Sequence, residues 1–228
     1  MPRTAIVSAI YGRYDTPKKL PDDLKVPAYL WTDDEEIGRE ASDLGWIAVL
    51  DEKPSGDDLS PMLKAKFVKT HMHMHSGRNQ DILIWLDGSM TITDPAYVDE
   101  IISQFGMTGF DFDVLFTPHP VRTCIYPEAT VTRALARYGD VDPIAQVEYY
   151  RSIGHPSNWG LFASGCFAVR NNALTQEWGG HWWNECHSRT YQDQLSLPVI
   201  TRIMQERGLR WKSSLPWATW WGIAEHGR

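Results

Sequence analysis

The apolar run of DILIWL (residues 81 to 86), followed at once by Asp87-Gly88-Ser89, constrains this chain more than any other feature. A continuous apolar stretch of strand length reads as a strand covered on both faces, and such strands belong to parallel-type sheets with helices on either side. The neighbouring segments agree. TAIVSAI (4 to 10), PAYLW (27 to 31), WIAVL (46 to 50) and DVLFT (113 to 117) read as further strands, bounded by polar turns. WGLFASGCFAVR (159 to 170) reads as one or two strands broken at Ser164 and Gly165.

Between these runs the apolar spacing turns helical. From Ser60 to His75, Leu63, Phe67 and Met74 recur at helical intervals, with Pro61 suited to the first turn. Asp94-Pro95 starts a second helix whose apolar face is Val98, Ile101, Ile102 and Phe105, and Asp142-Pro143 repeats that start. Glu177 to His187 and Ser196 to Arg207 read as the last two helices, the second with Pro198 in its first turn. Strands alternating with helices predict an α/β sheet. With no repeat, low-complexity tract or linker in view, residues 1–228 are expected to form a single domain.

Composition excludes some classes. A formal charge of -7 argues against a general polyanion-binding surface, which requires a basic excess. No stretch reaches the roughly 18 to 20 apolar residues that span a bilayer. The N-terminus shows a strand-length apolar run and no signal-peptide pattern. Cys124, Cys166 and Cys186 are odd in number and far from C-x-x-C spacing, which indicates neither a disulfide framework nor a zinc cluster. The expectation is a soluble, cytoplasmic protein without membrane partners. Eleven tryptophans, seven of them after residue 177, suit either sugar-ring faces or a core.

In open α/β sheets, ligands collect outside the carboxyl ends of the strands. Asp87 stands at such an end, where it is either a turn acid or a ligand for Mg2+ or Mn2+ shared with substrate phosphates. Tyr11, Tyr14 and Asp15 follow the first strand, and Asp33 and Asp34 follow the second. An aromatic to stack on a base and acids to accept from its N–H or ribose hydroxyls suit a nucleotide, although each segment alone also reads as a polar loop.

A strand ending in an acid, with nucleotide-type residues on the preceding strand ends, resembles the GT-A glycosyltransferase fold, a Rossmann-like mixed sheet flanked by helices. There an acidic D-x-D motif holds the metal of a sugar nucleotide. This chain has Asp87-Gly88-Ser89 and lacks the second acid. More specifically, AIYGRYD (9 to 15), AKFVKTHMH (65 to 73), IWLDGSMTITDP (84 to 95), HPVRTCIYPEA (119 to 129), QVEYYRSIGHP (146 to 156), GLFASGCFAVRNN (160 to 172) and WWNECHSRTYQDQLSLP (182 to 198) resemble, in order, the plant mucilage-type hexosyltransferase family.

The resemblance implies a hexosyltransferase using a nucleoside diphosphate sugar, with a UDP-sugar favoured. It also implies roles. Asp193 and Gln194 form a D-Q segment like the one that lines the donor-sugar and acceptor pocket of glycogenin-like enzymes, which makes Asp193 a sugar ligand or a base, or else a helix cap. Lys66, Lys69 and His73 match basic positions; Lys69 and His73, four apart, are expected on one helical face, neutralising the diphosphate leaving group or forming a solvated face. His119, Arg122 and Glu128 follow another strand end. Arg122 can grip a phosphate and Glu128 can serve the acceptor, or the two can pair internally. Asp87 and a C-terminal histidine, His226, are the metal-ligand candidates, and Asp193 and Glu128 the catalytic ones. Rival readings are a nucleotide-sugar or carbohydrate-binding module without turnover, and a hydrolase with paired carboxylates. The acceptor stays open among a glycan, a protein, a small molecule and a modified nucleobase in DNA.

Overall fold

The computed structural model describes residues 2–77, 79–106, 112–135, 138–214 and 221–223. Alternation of side chains about a central sheet builds the molecule. Strand β1 (Thr4–Ala9) is flanked on one side by β2 (Ala28–Thr32) and then β3 (Ile47–Leu50), all parallel. On its other side lies β4 (Ile82–Leu86), also parallel. The direction then changes: β7 (Phe162–Arg170) runs antiparallel to β4 and to β6 (Val114–Pro118), and the short β8 (Trp211–Ser213) closes the edge parallel to β6. This gives a seven-stranded mixed sheet in the order β3-β2-β1-β4-β7-β6-β8. A two-stranded ribbon joins β5 (Met90–Ile92) to β9 (Trp221–Ile223).

Successive residues of β4 go to opposite faces, as strand geometry requires. Ile82, Ile84 and Leu86 face one core with helices α1 (Glu35–Asp43) and α4 (Ala96–Gly106). Leu83 and Trp85 face the other, with α2 (Pro61–Thr70), α7 (Ala173–Ser188) and α8 (Asp193–Glu206). Burial on both faces explains why this strand has no polar alternation. A third cluster packs α5 (Ile125–Arg133) and α6 (Pro143–Ser152) against α8 through Ile125, Val147, Tyr150, Leu195 and Val199. Trp85, Trp178 and Trp182 are core residues.

The five strands read from the sequence are present, each within about a residue or two of its expected bounds, and the segment after Trp159 forms one strand of nine residues. Its pairing is irregular where the break was expected: Phe116 and Thr117 of β6, adjacent in sequence, pair with Phe167 and Ala163, leaving Ser164, Gly165 and Cys166 of β7 outside the β6 register. Four helical expectations change. α7 begins at Ala173, four residues before the expected Glu177, where Asn172 and Thr175 form a capping box. The helix expected from Ser60 to His75 breaks at His71 (φ -117°, ψ 37°), leaving α2 and a single turn, α3 (Met72–His75). α8 begins at Asp193, three residues before the expected start, so Pro198 lies inside it; its N-cap, Gln192, makes no side-chain capping bond that would mark the start. α1 and α5 have no counterpart among the expected helices. Asp34 caps α1 by accepting from the Glu36 and Ile37 amides. Pro127 is tolerated in α5 because it falls in the first turn, where its missing N–H has no helical acceptor.

Candidate active site

The order of strands reverses between β1 and β4, and there the carboxyl ends of two parallel strands open onto a cleft of about 420 Å³. Ala9, Ile10 and Tyr11 enter it from β1, Asp87, Gly88 and Ser89 from β4, and Ala163, Ser164 and Gly165 from the start of β7. Helices α2, α5 and α8 supply the remaining walls. Asp87 is held at the strand end by its own amide, which donates to the Gly165 carbonyl at 2.8 Å. Gly88 is needed for a neighbour rather than for a ligand: a Cβ there would lie 2.7 Å from Ile10 Cγ1.

A charged network forms the floor. Lys69, only 1% exposed, places Nζ 2.6 Å from Asp193 Oδ2 and 3.2 Å from Asp87 Oδ1. Lys66 Nζ also reaches Asp193 Oδ2, at 3.0 Å. Trp85 Nε1 donates to Asp87 Oδ1 and Ser164 Oγ donates to Asp193 Oδ1. The Lys69 ammonium lies 5.4 and 5.7 Å from the ring centroids of Trp85 and Trp182, so aromatic faces share in stabilising the buried charge. Burial alone would raise the pKa of Asp193, but the two lysines outweigh it and hold the carboxyl well below the usual range. Burial likewise opposes the charge on Lys66, and Asp193 and Asp87 raise its pKa on balance. Asp193 is therefore a firmly anionic hydrogen-bond acceptor and a weak base.

A second network lies on the α5 side. Arg122 Nε donates to Glu128 Oε2, realising the internal pair. His119 Nδ1 accepts from the amides of Val121 and Arg122, which leaves the proton of the neutral ring on Nε2, 3.8 Å from Glu128 Oε2. Burial lowers the His119 pKa, partly offset by Glu128. Gln194 lines the cleft and donates through Nε2 to the Phe162 carbonyl.

The cleft thus brings together Tyr11, Tyr14, Lys66, Lys69, Asp87, His119, Arg122, Glu128, Asp193 and Gln194. Two expected members stand apart from its lining. Asp33 accepts from the Gly12 amide at 2.9 Å and from Lys64 Nζ at 3.0 Å, tying the loop after β1 to α2. His73 does not share the face of Lys69, because the break at His71 turns it toward a separate shallow depression with Thr70, Met72 and Trp178. His226 lies outside the described residues. Tyr11 is only 2% exposed, with Lys64 Nζ 5.7 Å from its ring centroid, so it forms wall rather than an open stacking platform. The sequence reading missed Met62, Val131, Leu135 and Tyr138 as lining residues, whose local context carries no functional signal, and Gln192, which directly precedes the Asp193-Gln194 pair.

Among the described residues, no three potential metal ligands converge. Asp87 is the partly exposed carboxylate of the floor, and the second position of the acidic motif is the buried Ser89. The charged residues lining the cleft are Lys66, Lys69 and Arg122 against Asp15, Asp87, Glu128 and Asp193. With His119 neutral, these groups leave no positive excess to balance a diphosphate. That balance fits a divalent cation carried in with the phosphates and touching the protein at Asp87, rather than one caged by protein ligands alone.

A mixed sheet with a cleft at the β1/β4 reversal and an acid closing β4 is the GT-A fold of glycosyltransferases. Residues 65–215 match the family described as "TOD1/MUCI70, glycosyltransferase-like domain", and the chain belongs to that family. The bifunctional glycosyltransferase WbbM, in its apo form, superposes with a TM-score of 0.54 at 7% identity, covering 93% of this chain and 39% of that one. Core-mannan synthase A from Aspergillus fumigatus, in its Mn/GDP form, gives 0.50 at 10% identity, covering 92% and 73%. These likenesses are of fold. No curated protein matches the sequence.

Proposed function

We propose that the chain transfers a hexose from a nucleoside diphosphate sugar, UDP-hexose first among donors, to an acceptor hydroxyl. The observation that carries this reading is the lysine pair of α2 bridging Asp87 and Asp193 on the cleft floor. Lys66 is the partly accessible cation, placed to meet the departing diphosphate, while Lys69 locks the two carboxylates in place. Asp193 and Gln194 bind hydroxyls of the transferred sugar. Tyr11 and Tyr14 border the nucleoside, and Asp33 shapes that wall through Gly12 and Lys64. Asp87 is the protein ligand of Mn2+ or Mg2+, which would supply positive charge at the diphosphate. Mannan synthase A in a Mn/GDP form supports this by analogy of fold.

Calorimetric titration of UDP and UDP-hexoses with and without Mn2+, on the wild type and on Asp87→Asn, tests the proposal. Metal-enhanced binding that drops at least tenfold in the variant is expected. Equal binding by both proteins would remove Asp87 from the site. A second reading, binding without turnover, draws on Asp193, which its two lysines make a weak base, and on the ion pairs that already engage Asp87 and Glu128. Tight donor binding with neither transfer nor donor hydrolysis would select it.

A further inference from the structure

Asp87 offers its two oxygens unequally. Oδ1 accepts from Trp85 Nε1 and from Lys69 Nζ, and both donors are buried residues. A carboxylate oxygen has two lone pairs, so two donors fill it. Oδ2 accepts from no group among the described residues, and the side chain, 35% exposed, lines the cleft. The start of β7 keeps that second oxygen clear. Leu86 pairs with Cys166, which sets Gly165 opposite Asp87, and the Gly165 carbonyl accepts from the Asp87 amide at 2.8 Å. A Cβ on Gly165 would lie 3.3 Å from Asp87 Oδ2 and 2.9 Å from Met90 Sδ, so alanine there would crowd the oxygen that is left open.

We infer that Trp85 and Gly165 are positioning residues that make Asp87 a one-oxygen ligand: Trp85, together with Lys69, occupies Oδ1, and Gly165 leaves Oδ2 as the atom that meets the divalent cation. This rests on the reading of Asp87 as the metal ligand, and it goes further, to which cation the site accepts. A ligand limited to one oxygen suits Mg2+ or Mn2+, which complete an octahedron with substrate phosphates and water. It serves Ca2+ poorly, since that larger ion fills roughly six to eight positions and often takes both oxygens of a carboxylate. Outer partners of this kind hold a ligand in its seat, and their loss is felt in metal affinity.

UDP affinity measured by calorimetry in EDTA, in Mg2+ and in Ca2+, on the wild type, Trp85→Phe and Gly165→Ala, is the experiment. In the wild type, Mg2+ is expected to raise UDP affinity about tenfold more than Ca2+ does. Trp85→Phe keeps a ring in place and removes the donor, which frees a site on Oδ1 and should bring the two ions within about twofold of each other. That ratio compares two ions on one protein, so a loss of folded protein cannot change it. Gly165→Ala should cut the enhancement by both ions. In the wild type, the Trp85 indole N–H resonance, identified by its absence from Trp85→Phe, should stay protected from solvent exchange when UDP and Mg2+ are bound, because Oδ1 keeps its donor. Equal enhancement by Mg2+ and Ca2+ in the wild type, a wild-type ratio in Trp85→Phe, or loss of the indole proton's protection overturns the inference. An undiminished enhancement in Gly165→Ala overturns the part given to Gly165. UDP binding that no ion enhances, or that Asp87→Asn leaves unchanged, overturns the metal reading itself and is seen without either of these variants.

Discussion

Lys69 shows how much one buried charge organises here. It is among the largest side chains fully removed from water, and it contacts Asp87, Asp193 and two indole rings. Removing one member of a buried ion-pair network leaves the others uncompensated. Lys69→Met should therefore destabilise the fold by roughly 3 to 5 kcal/mol in urea unfolding, and adding Asp193→Asn should recover part of the loss. No recovery would show that the lysine acts by packing alone. From the sequence, AKFVKT reads equally well as a solvated lysine face, because nothing local says that two carboxylates 18 and 124 positions away will meet one ammonium. Asp87 was legible for the opposite reason: a lone acid ending an apolar run is a local signal.

Elements position these residues by close approach. An ideal Cβ on Gly179 of α7 would lie 2.1 Å from the Thr70 carbonyl oxygen of α2, a contact between two backbones that no rotamer relieves. Gly179→Ala should cost about 1 to 3 kcal/mol in unfolding free energy, and should also weaken UDP binding because α2 carries Lys66 and Lys69. Unchanged stability and affinity would mean the helices shift freely. The single turn α3 and the segment after α6 each bury a histidine. Burial, with His71 and His73 adding repulsion, pushes His75 down to about 4, and burial with Arg202 does the same to His155. Both are neutral in the fold and have an ordinary value near 6.5 in the unfolded chain. Their contribution is thus whole above about pH 6.5 and is lost progressively as pH falls toward 4. The unfolding free energy should drop by a few kcal/mol across that window. A flat profile between pH 7 and 4.5, or one restored by no His75→Gln replacement, would contradict this.

At the scale of the molecule, donor binding and stability are linked through the whole sheet, since the cleft exists only when β1, β4, β7 and three helices are in place. UDP-hexose with Mn2+ at a hundredfold excess over its dissociation constant should add about 2.7 kcal/mol. For a chain of this size that is roughly 5 to 10 °C in Tm, read by thermal denaturation. Absence of any shift would remove the nucleotide from the site. The α/β class, the five strands and the acid at the end of the fourth were determined by the sequence alone, because apolar runs, capping acids and glycine turns act within a few residues. The tertiary structure decided the rest. It broke the helix at His71 and sent His73 away from Lys69, closed the Arg122–Glu128 pair, and drew Asp193 between two lysines. It also brought Val131 and Leu135 into the lining of the same cleft. These are contacts between segments far apart in the chain, whose energies depend on burial and neighbouring charge, and neither exists until the sheet has brought the segments together.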